Sequence, residues 1–453
     1  MAKAKVIYSC SACGAVHGGW AGKCSVCGEW NTIIEEIDNS STTTVGKAVA
    51  GGKVLRYGPV MSKPKGSDKR LSLGIKDIDE VLGGGLVAGS IVLIAGEPGI
   101  GKSTLLMQLA YNASKNGKVL YISGEESASQ VSMRANRLGA VHENLFLASG
   151  TSANDIAATI SKSKFDVVIV DSIQAISTDE ISSAAGTVSQ ITNSTSLISS
   201  SAKSSNTALI VVGHVTKEGS IAGPKVLEHV VDVVLQLEGN RYGGFRVLRA
   251  LKNRFGSTNE AAILEMNEDG MSIVDNPSAS LLEERQKSDG SVVLATLEGT
   301  RPILVEVQAL VNTTSYGYPK RATSGFDLTR LNLLVAMLER RTKLKLADKD
   351  IYINIVGGIK ITEPAADLAV IMAIASAAKG MQLKSDAVVY GEVGLSGEVR
   401  RVPWPEKRLK EIEKLGFKAA IGPKLKGKET APKWYMEAND IRSALNSFLT
   451  TGK

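Results

Sequence analysis

The sequence contains few aromatic residues, only four cysteines and no long apolar run. Aromatic residues make up 5% of the 453-residue chain, and 45 glycines far outnumber 12 prolines, which indicates tight turns rather than a collagen-like or Pro-rich chain. No apolar stretch approaches the ~18 residues of a transmembrane helix, and the N-terminus lacks the apolar core of a signal peptide. The sequence therefore predicts a cytoplasmic protein that is neither secreted nor membrane-spanning.

The composition is that of a globular chain with several domains. Hydrophobic residues make up 43% and charged residues 22%, which excludes wholesale disorder. At roughly 150 residues per domain, the length predicts about three domains. The net charge of +7 is concentrated, because residues 47–70 hold seven basic residues and one acidic residue. Such a segment suits a polyanion such as nucleic acid or is a solvated linker, and charge alone leaves both open.

The four cysteines, Cys10, Cys13, Cys24 and Cys27, form two C-x2-C pairs with ten residues between them. Each pair presents two thiolates to one tetrahedral ion, so together they complete a four-thiolate zinc site. Two disulfides are the alternative, but a chain without a secretory signal favours reduced thiols. The sequence therefore predicts a structural zinc ribbon over 1–35, followed by a flexible basic linker over 36–70.

From residue 71 the sequence alternates short apolar runs with helical patterns. This alternation predicts βαβ units and a mainly parallel sheet, which is an α/β fold. Strands are expected at 91–95, 119–122, 145–147, 167–170, 208–212 and 231–237, with short antiparallel strands at 245–251, 261–266 and 271–274. The serine-rich stretch 182–206 places its apolar residues on one face, which predicts an exposed helix rather than a disordered segment.

A turn at 275–277 begins a second region of mixed strands and helices. Strands are expected at 292–297, 303–310, 351–356 and 387–393, and helices at 328–338, at 365–379 and from Pro405 onwards. The expected domains after the linker are therefore 71–275 and 276–453.

The octapeptide 96–103, GEPGIGKS, fits the phosphate-binding pattern G-x4-G-K-S. It follows a predicted strand and opens a predicted helix, which is the context that a P-loop requires. Its glycines allow backbone N–H groups to surround phosphate oxygens, Lys102 reaches the β- and γ-phosphates, and the Ser103 hydroxyl binds Mg²⁺. The residues expected to bind ATP are Gly96, Glu97, Pro98, Gly99, Ile100, Gly101, Lys102, Ser103, Thr104 and Asp171.

Polar residues at the ends of three predicted strands complete the expected site. An apolar run ends in Asp171, which is expected to hold the Mg²⁺ shell together with Ser103. Hydrolysis also needs a group that orients water, and Glu125 and Glu126 follow the second strand at the same sheet edge. Glu126 is the preferred candidate. His214 also lies at this edge, where sensing the γ-phosphate, contacting DNA and a purely structural role all stay open.

Four segments carry a family resemblance: GEPGIGKS at 96–103, SGEES at 123–127, VVIVDSIQ at 167–174 and KNRFG at 252–256. Together they resemble the bacterial RadA family, also called Sms, which is related to the RecA recombinases. The resemblance covers essentially the whole chain and implies a RecA-like ATPase core that forms a hexameric ring on single-stranded DNA. It also implies ATP-driven branch migration in recombinational repair, with branched DNA as substrate and a RecA-type recombinase as a candidate partner.

The resemblance assigns roles to the KNRFG segment and to one loop. Lys252 and Arg254 would act at the ATP interface between subunits, where a cation from a neighbour stabilises charge on the transferred phosphoryl group. A solvated basic turn is the alternative. The loop 217–225, KEGSIAGPK, would contact DNA phosphates in the ring lumen. The expected catalytic residues are thus Lys102, Glu126, Lys252 and Arg254.

The segments GGIKITEPAADLAV at 357–370 and GEVGLSGEVRRVPWPEKRL at 391–409 resemble the proteolytic domain of Lon proteases. Active members of that family use a serine that a lysine deprotonates. Alignment places Ala365 at the serine position and Glu406 at the lysine position, so a non-proteolytic α+β scaffold for ring assembly is expected. Candidate DNA-binding residues of this region are Arg400, Arg401, Lys407 and Arg408.

Three functions stay open at this point. A DNA-dependent ATPase with ATP, Mg²⁺ and Zn²⁺ as cofactors is preferred. An ATP-dependent Lon-like protease is disfavoured by the missing dyad. A zinc-ribbon regulator that binds nucleotide without hydrolysing it is disfavoured by the intact P-loop, Asp171 and Glu126.

Overall fold

The computed structural model describes residues 6–11, 15–37, 70–214, 224–239, 244–315, 317–383, 386–425 and 431–451. The chain divides into two compact units. The first comprises Met1–Leu237, Ala250–Thr258 and Glu268–Met271, and the second comprises Glu238–Arg249, Asn259–Asn267 and Ser272–Lys453. Cys13, nearly all of the predicted linker and most of the loop 217–225 lie outside the described residues. The bounds of the four expected domains stay predictions.

The N-terminal ribbon is a three-stranded antiparallel sheet. Its strands are β1 (Val6–Cys10), β2 (Val16–His17) and β3 (Ile33–Ile37), with β1 between the other two. Its buried core comprises Cys10, Cys24 and Ile33. Because a core of this size buries too little apolar surface to hold a fold, a bound metal has to supply much of the folding free energy.

Six parallel strands form the sheet of the first unit. They are preceded by β4 (Arg70–Leu71), α1 (Lys76–Val81) and β5 (Leu86–Val87). The parallel strands are β6 (Ile91–Gly96), β7 (Val119–Ser123), β8 (Leu145–Ser149), β9 (Val167–Asp171), β10 (Ala208–His214) and β11 (Val233–Gly239). They lie in the order β8-β7-β9-β10-β6-β11. All six predicted strands are confirmed to within two residues, and the central ones read as apolar runs because both faces are buried.

Helices connect these strands. They are α2 (Lys102–Ser114), α3 (Ala128–Arg137), α4 (Ala153–Lys162), α5 (Val188–Ser205) and α6 (Pro224–Val230), with a 3-10 turn at Ile173–Ala175. Parallel connectivity brings the carboxyl ends of all six strands to one edge of the sheet, where ligands bind in open α/β sheets.

The serine-rich stretch forms helix α5, which confirms the predicted helix, but its expected exposure is wrong because α5 is buried along one side. Its buried polar residues are Ser189, Gln190, Ser194, Thr195 and Ser199. The side chain of Gln190 accepts from the N–H of Thr178 at 2.9 Å and donates to the carbonyl of the same residue at 3.2 Å. The hydroxyl of Thr195 donates to the carbonyl of Ile191 at 2.6 Å. Gln190 and Thr195 are thus paired internally, whereas the hydroxyls of Ser194 and Ser199 are buried without a hydrogen-bond partner among the described residues. Because most side chains on this face are small, α5 packs closely against α4.

Three further strands follow: β12 (Phe245–Asn253), β13 (Ala261–Asn267) and β14 (Gly270–Ile273). β12 pairs antiparallel with β13, with Phe245 opposite Glu265. This agrees with the predicted antiparallel strands, and β12 extends through the first two residues of the KNRFG segment.

A seven-stranded mixed sheet forms the centre of the second unit. The strands of this unit in chain order are β15 (Ser291–Glu298), β16 (Arg301–Thr313), β17 (Arg321–Ser324), β18 (Lys349–Ile355), β19 (Met381–Leu383), β20 (Val388–Val389), β21 (Glu392–Val393), β22 (Val399–Arg400), β23 (Ala420–Gly422), β24 (Tyr435–Glu437) and β25 (Leu449–Thr451). The sheet order is β17-β18-β16-β15-β20-β23-β24, while β19 pairs with β25 and β21 with β22. The predicted strand 387–393 is therefore split between two sheets.

The helices of the second unit are α7 (Pro277–Leu282), α8 (Leu328–Thr342), α9 (Asp367–Lys379), α10 (Pro405–Lys414) and α11 (Ile441–Phe448), with a 3-10 turn at Pro364–Ala366. α9 is buried from Asp367 to Ser376 and lies in the apolar core. Among the described residues, no helix combines the length and apolar character that crossing a bilayer requires.

Candidate functional site

The predicted P-loop connects β6 to α2 at the carboxyl edge of the parallel sheet. Gly99 and Gly101 adopt positive φ angles of 79° and 108°, a conformation that favours glycine. Gly96 has no room for a side chain, because a Cβ there would lie 2.6 Å from the carbonyl oxygen of Leu237. Ile100 is buried and anchors the loop. The loop therefore places the N-terminus of α2, with the N–H groups of its first turn, at this edge.

Lys102 is the first residue of α2, and only 4% of it is exposed. Its ammonium donates to the carbonyl oxygens of Gly96 at 2.8 Å and Glu97 at 2.9 Å. These bonds compensate for burial of the charge and hold the ammonium at the loop that phosphates would enter. Ser103 and Thr104 follow in the first turn of α2 and are half-buried.

Asp171 ends β9 beside β7, where it lies opposite Ser123 in parallel register. Its Oδ2 accepts a hydrogen bond of 2.5 Å from the hydroxyl of Tyr121, a residue that no sequence motif indicated. Burial, reinforced by the neighbouring carboxylate, raises the pKa of Tyr121 well above its usual range. The phenol therefore stays protonated and donates to Asp171.

The donor set at this edge fits Mg²⁺, which prefers carboxylate and hydroxyl oxygens together with phosphates and water. Ser103 supplies a hydroxyl in the first turn of α2, and Asp171 supplies a carboxylate on a strand of the same sheet edge. The predicted Mg²⁺ ligands include neither a thiol nor an imidazole.

The two adjacent glutamates after β7 have different partners. Glu125 accepts a hydrogen bond from the hydroxyl of Ser172, and its Oε1 lies 3.8 Å from Nε2 of His214. Glu126 pairs instead with the guanidinium of Arg134 on α3. Glu126, the preferred candidate from the sequence for orienting water, is thus paired with Arg134, whereas Glu125 faces His214.

His214 ends β10 and lies opposite Gly96 in the pairing of β10 with β6. Burial, together with the positive charge of Lys102, lowers the pKa of His214. The imidazole is therefore neutral at pH 7 and stands beside both the P-loop and Glu125. This placement brings together three of the groups that the sequence predicted at the sheet edge.

Arg134 lies on α3, whose N-terminus is fixed by a capping box between Ser127 and Gln130. Its side chain is 16% exposed. Although burial disfavours the charge, the hydrogen bond to Glu126 raises the pKa of Arg134, and the carboxylate charges of Glu126 and Asp171 add to this. Arg134 is therefore a permanently charged group at the ATP edge, and no motif had indicated it.

The KNRFG segment lies at the amino ends of the parallel strands, whereas the P-loop lies at their carboxyl ends. Nη1 of Arg254 lies 3.0 Å from Oδ1 of Asp232, whose Oδ2 accepts from the N–H of Ile91 at 3.1 Å. Ile91 is the first residue of β6, whereas the P-loop begins at Gly96, about 17 Å further along at ~3.3 Å per residue. The Arg254 side chain is 55% exposed. Arg254 is thus accessible but remote from the P-loop of its own subunit.

Lys252 is fixed within its own subunit at the end of α6. Its ammonium donates to the carbonyl oxygens of Glu228 at 2.5 Å and Val231 at 2.8 Å. Gly256 closes the segment against another loop, because a Cβ on it would lie 2.7 Å from the Cα of Gly83. The segment is therefore an ordered part of the first unit rather than a solvated turn.

Three of the four predicted zinc ligands are described, and their thiols converge. The sulfur atoms of Cys10, Cys24 and Cys27 lie within 4.8 Å of one another, with 3.6 Å between those of Cys10 and Cys27. Tetrahedral zinc with bonds of about 2.3 Å places its sulfurs about 3.8 Å apart, whereas a disulfide needs about 2.05 Å. The N–H of Cys27, helped by that of Val26, lowers the pKa of the Cys24 thiol to about 5. The site therefore fits zinc-bound thiolates.

One of the four residues of the second unit that were expected to bind DNA is not accessible. Arg408 is wholly buried, where it pairs with Glu363 and donates to the carbonyl oxygen of Ala295 at 2.7 Å. The helical period of α10 turns Arg408 inward together with Ile412, so this prediction is wrong. Of the other three residues, Arg400 and Arg401 are exposed and Lys407 is half-buried. The residue at the Lon serine position, Ala365, is buried.

Two protein-family models match the chain. A model described as the KaiC ATPase matches residues 71–148, which contain the P-loop and both glutamates. A model described as the rubredoxin metal-binding domain matches residues 8–35, which contain all four cysteines. The matches agree with the two sites: ATP with Mg²⁺ at the P-loop, and Zn²⁺ at the ribbon.

Known proteins resemble this chain over nearly its whole length. The DNA repair protein RadA of Aquifex aeolicus is 46% identical over 424 residues, which cover 94% of each chain. Its namesake in Pseudomonas aeruginosa is 46% identical over 95% of this chain and 96% of its own. The one in Bacillus subtilis is 47% identical over 93% of each. The chain is thus an ATP-hydrolysing enzyme with a RecA-like core, and it belongs to the RadA family.

Proposed function

We propose that the protein is a DNA-dependent ATPase of recombinational repair, which forms a hexameric ring on single-stranded DNA and promotes branch migration of recombination intermediates. The relatives are named DNA repair proteins, which supports a role in repair. The observation that carries the proposal is the position of Arg254 at the sheet edge opposite the P-loop.

From this position Arg254 contacts the ATP that is bound by another subunit. The arginine is more than half exposed and anchored to Asp232, about 17 Å from its own P-loop by the rise of β6. An ATP that it contacts therefore has to be bound by a neighbouring copy. Repeating this head-to-tail contact closes a ring, and hydrolysis then depends on the geometry between neighbours.

Within one site, each residue has a distinct task. Lys102 binds the β- and γ-phosphates, and Ser103 and Asp171 hold the Mg²⁺, which neutralises charge on the phosphates when bound. Glu125 orients the attacking water. His214, beside the start of the P-loop, responds to the presence of the γ-phosphate. Arg254 of the adjacent subunit stabilises charge on the transferred group.

DNA binding rests on positive charge along the chain. The basic segment 47–70 and the loop 217–225 supply lysines and arginines for phosphate contacts that do not depend on sequence. On the second unit, Arg400, Arg401 and Lys424 line an open cavity of about 370 Å³. This unit is a non-proteolytic scaffold, because alanine replaces the Lon nucleophile.

Mixing two inactive variants tests the ring. Lys102→Ala removes the phosphate contact and Arg254→Ala removes the trans-acting cation, so each variant alone is expected to lack DNA-stimulated ATP turnover. In an equimolar mixture, about a quarter of the interfaces pair an intact P-loop with an intact arginine, so activity is expected to return. A mixture as inactive as its parents would contradict action across the interface. ATP-dependent casein degradation would instead support the protease alternative.

A further inference from the structure

Tyr121 is a buried residue of the ATP edge that no nucleotide-binding motif marks. It lies in the middle of β7, is 0% exposed, and donates its hydroxyl hydrogen to Oδ2 of Asp171 at 2.5 Å. Parallel pairing produces this contact, because Ser123 lies opposite Asp171 and residues two apart on a strand share one face. The contact is thus built into the sheet rather than into a loop.

The hydrogen bond restricts how Asp171 presents its carboxylate. A phenol has one hydrogen to donate, and the bond is charge-assisted because its acceptor is a carboxylate. With Oδ2 engaged, rotation of the side chain is hindered and the direction of the second oxygen is set. Such restriction matters for Mg²⁺, which demands near-ideal octahedral geometry.

Arg134 supports this arrangement from α3. Its guanidinium pairs with Glu126 and is close enough to Tyr121 and Asp171 to interact with both. One positive charge thus offsets part of the negative charge of two carboxylates around a buried hydroxyl. Tyr121 on β7 therefore binds Asp171, and Arg134 on α3 binds Glu126, so that each carboxylate has its own hydrogen-bond donor.

We propose that Tyr121 is a positioning residue of the magnesium–nucleotide site, which orients Asp171 through its hydroxyl, with Arg134 as its charge-balancing support. The inference rests on the proposed role of Asp171 as a magnesium ligand. Partners that orient a metal ligand typically change metal affinity by about 10–100-fold when they are removed. Because the hydroxyl of Tyr121 donates to Asp171, its effect is expected in the magnesium requirement.

Binding of a fluorescent ATP analogue to the full-length protein tests this without relying on turnover. For Tyr121→Phe, the Mg²⁺ concentration that gives half of the metal-dependent change in binding is expected to rise about 10–100-fold. Binding in EDTA is expected to stay unchanged. Tyr435→Phe is the matched control, because it removes a buried hydroxyl that donates to Pro423 at 2.7 Å in the other unit. The control is expected to show no shift, and a Tyr121→Phe titration that overlays it would overturn the proposal.

The variant Asp171→Asn distinguishes a failure of the role of Tyr121 from a failure of Asp171 as a magnesium ligand. If Asp171→Asn leaves the magnesium requirement unchanged, Asp171 is not a ligand and the proposed site fails. If it raises the requirement while Tyr121→Phe does not, the ligand stands and the role of Tyr121 is wrong. In the Asp171→Asn background, Tyr121→Phe is expected to add no further shift, since it acts through the same carboxylate.

Arg134 is tested by comparing two replacements. Arg134→Gln removes the charge, whereas Arg134→Lys retains it with fewer donors. The glutamine variant is expected to raise the magnesium requirement more than the lysine variant does. Equal requirements in both variants and the parent protein would remove Arg134 from the proposal.

Discussion

Arg408 and Glu363 form an ion pair inside the second unit, with the guanidinium wholly buried. Glu363 also accepts from the hydroxyl of Thr296 at 2.9 Å and from the N–H of Leu297 at 3.0 Å. Arg408 is further bound to the carbonyl oxygen of Ala295. The pair therefore joins α10 to the end of β15 beside Ala365, the residue at the Lon serine position, and gives this region a structural role.

Replacing Arg408 by alanine is expected to destabilise the second unit. The substitution leaves the Glu363 carboxylate without its partner, and breaking a buried pair typically costs about 3–5 kcal/mol. Denaturant unfolding measures the loss. Arg401→Ala, an exposed arginine nearby, is the control and is expected to change stability by no more than about 0.5 kcal/mol. If both variants unfold like the parent protein, the ion pair is dispensable.

The features that could be predicted from the sequence are those made by neighbouring residues in the chain. The P-loop and the C-x2-C pairs each place their chemistry within a few positions, so spacing alone indicates them. The central strands are equally visible, because burial on both faces requires uninterrupted apolar residues. Arg408 was misplaced because its partner, Glu363, is distant in the sequence and an arginine on a helix is usually solvated.

Residues with no local pattern were missed. Tyr121 stands in an apolar strand and reads as an ordinary core residue, and only the pairing of β7 with β9 brings it to Asp171. Arg134 reads as a charge on the solvated face of α3. The choice between Glu125 and Glu126 depends on which side chain meets His214 and which meets Arg134, and two adjacent identical residues carry no signal for that.

Lys252 is expected to couple DNA to ATP turnover. Its ammonium holds the carbonyl end of α6, the helix that follows the loop 217–225 expected to contact DNA. Lys252→Ala is expected to leave ATP-analogue affinity within about twofold and to lower DNA-stimulated turnover by about 2–30-fold, the scale of coupling lost when a residue that links two sites is removed. Lys252→Arg retains a cationic donor and is expected to keep more of the stimulation. Full DNA stimulation in Lys252→Ala would rule this role out.

The zinc ribbon is expected to lose its metal when one thiolate is removed. Cys27→Ser replaces a ligand whose sulfur lies 3.6 Å from that of Cys10. Because the metal supplies much of the folding free energy of so small a sheet, the first 35 residues are expected to become sensitive to protease. Bound zinc per chain, measured after gel filtration, checks this. Ser25→Ala, an exposed neighbour, is the control; equal zinc in both variants would argue against a four-thiolate site.

Glu298 gives the second unit a pH-dependent stability. Its side chain is 6% exposed, and its Oε2 lies 3.1 Å from Nη2 of Arg249, which also lies 3.4 Å from Oε2 of Glu238. Two carboxylates thus share one guanidinium. Burial raises the pKa of Glu298 to about 7 against the attraction of Arg249, and repulsion by Glu238 adds to the rise.

The sign of this dependence follows from proton binding. The folded protein binds the proton of Glu298 more tightly than the unfolded chain, so the stabilisation is complete below the unfolded pKa and is lost as the pH rises through about 7. Between about pH 5.5 and pH 8 the parent protein is expected to lose about 2 kcal/mol of unfolding free energy that Glu298→Gln does not lose. Glu238→Gln is expected to reduce this loss, because it frees Arg249 for Glu298. Denaturant unfolding of the three proteins at both pH values decides the matter, and parallel pH profiles for the parent and Glu298→Gln would refute the assignment.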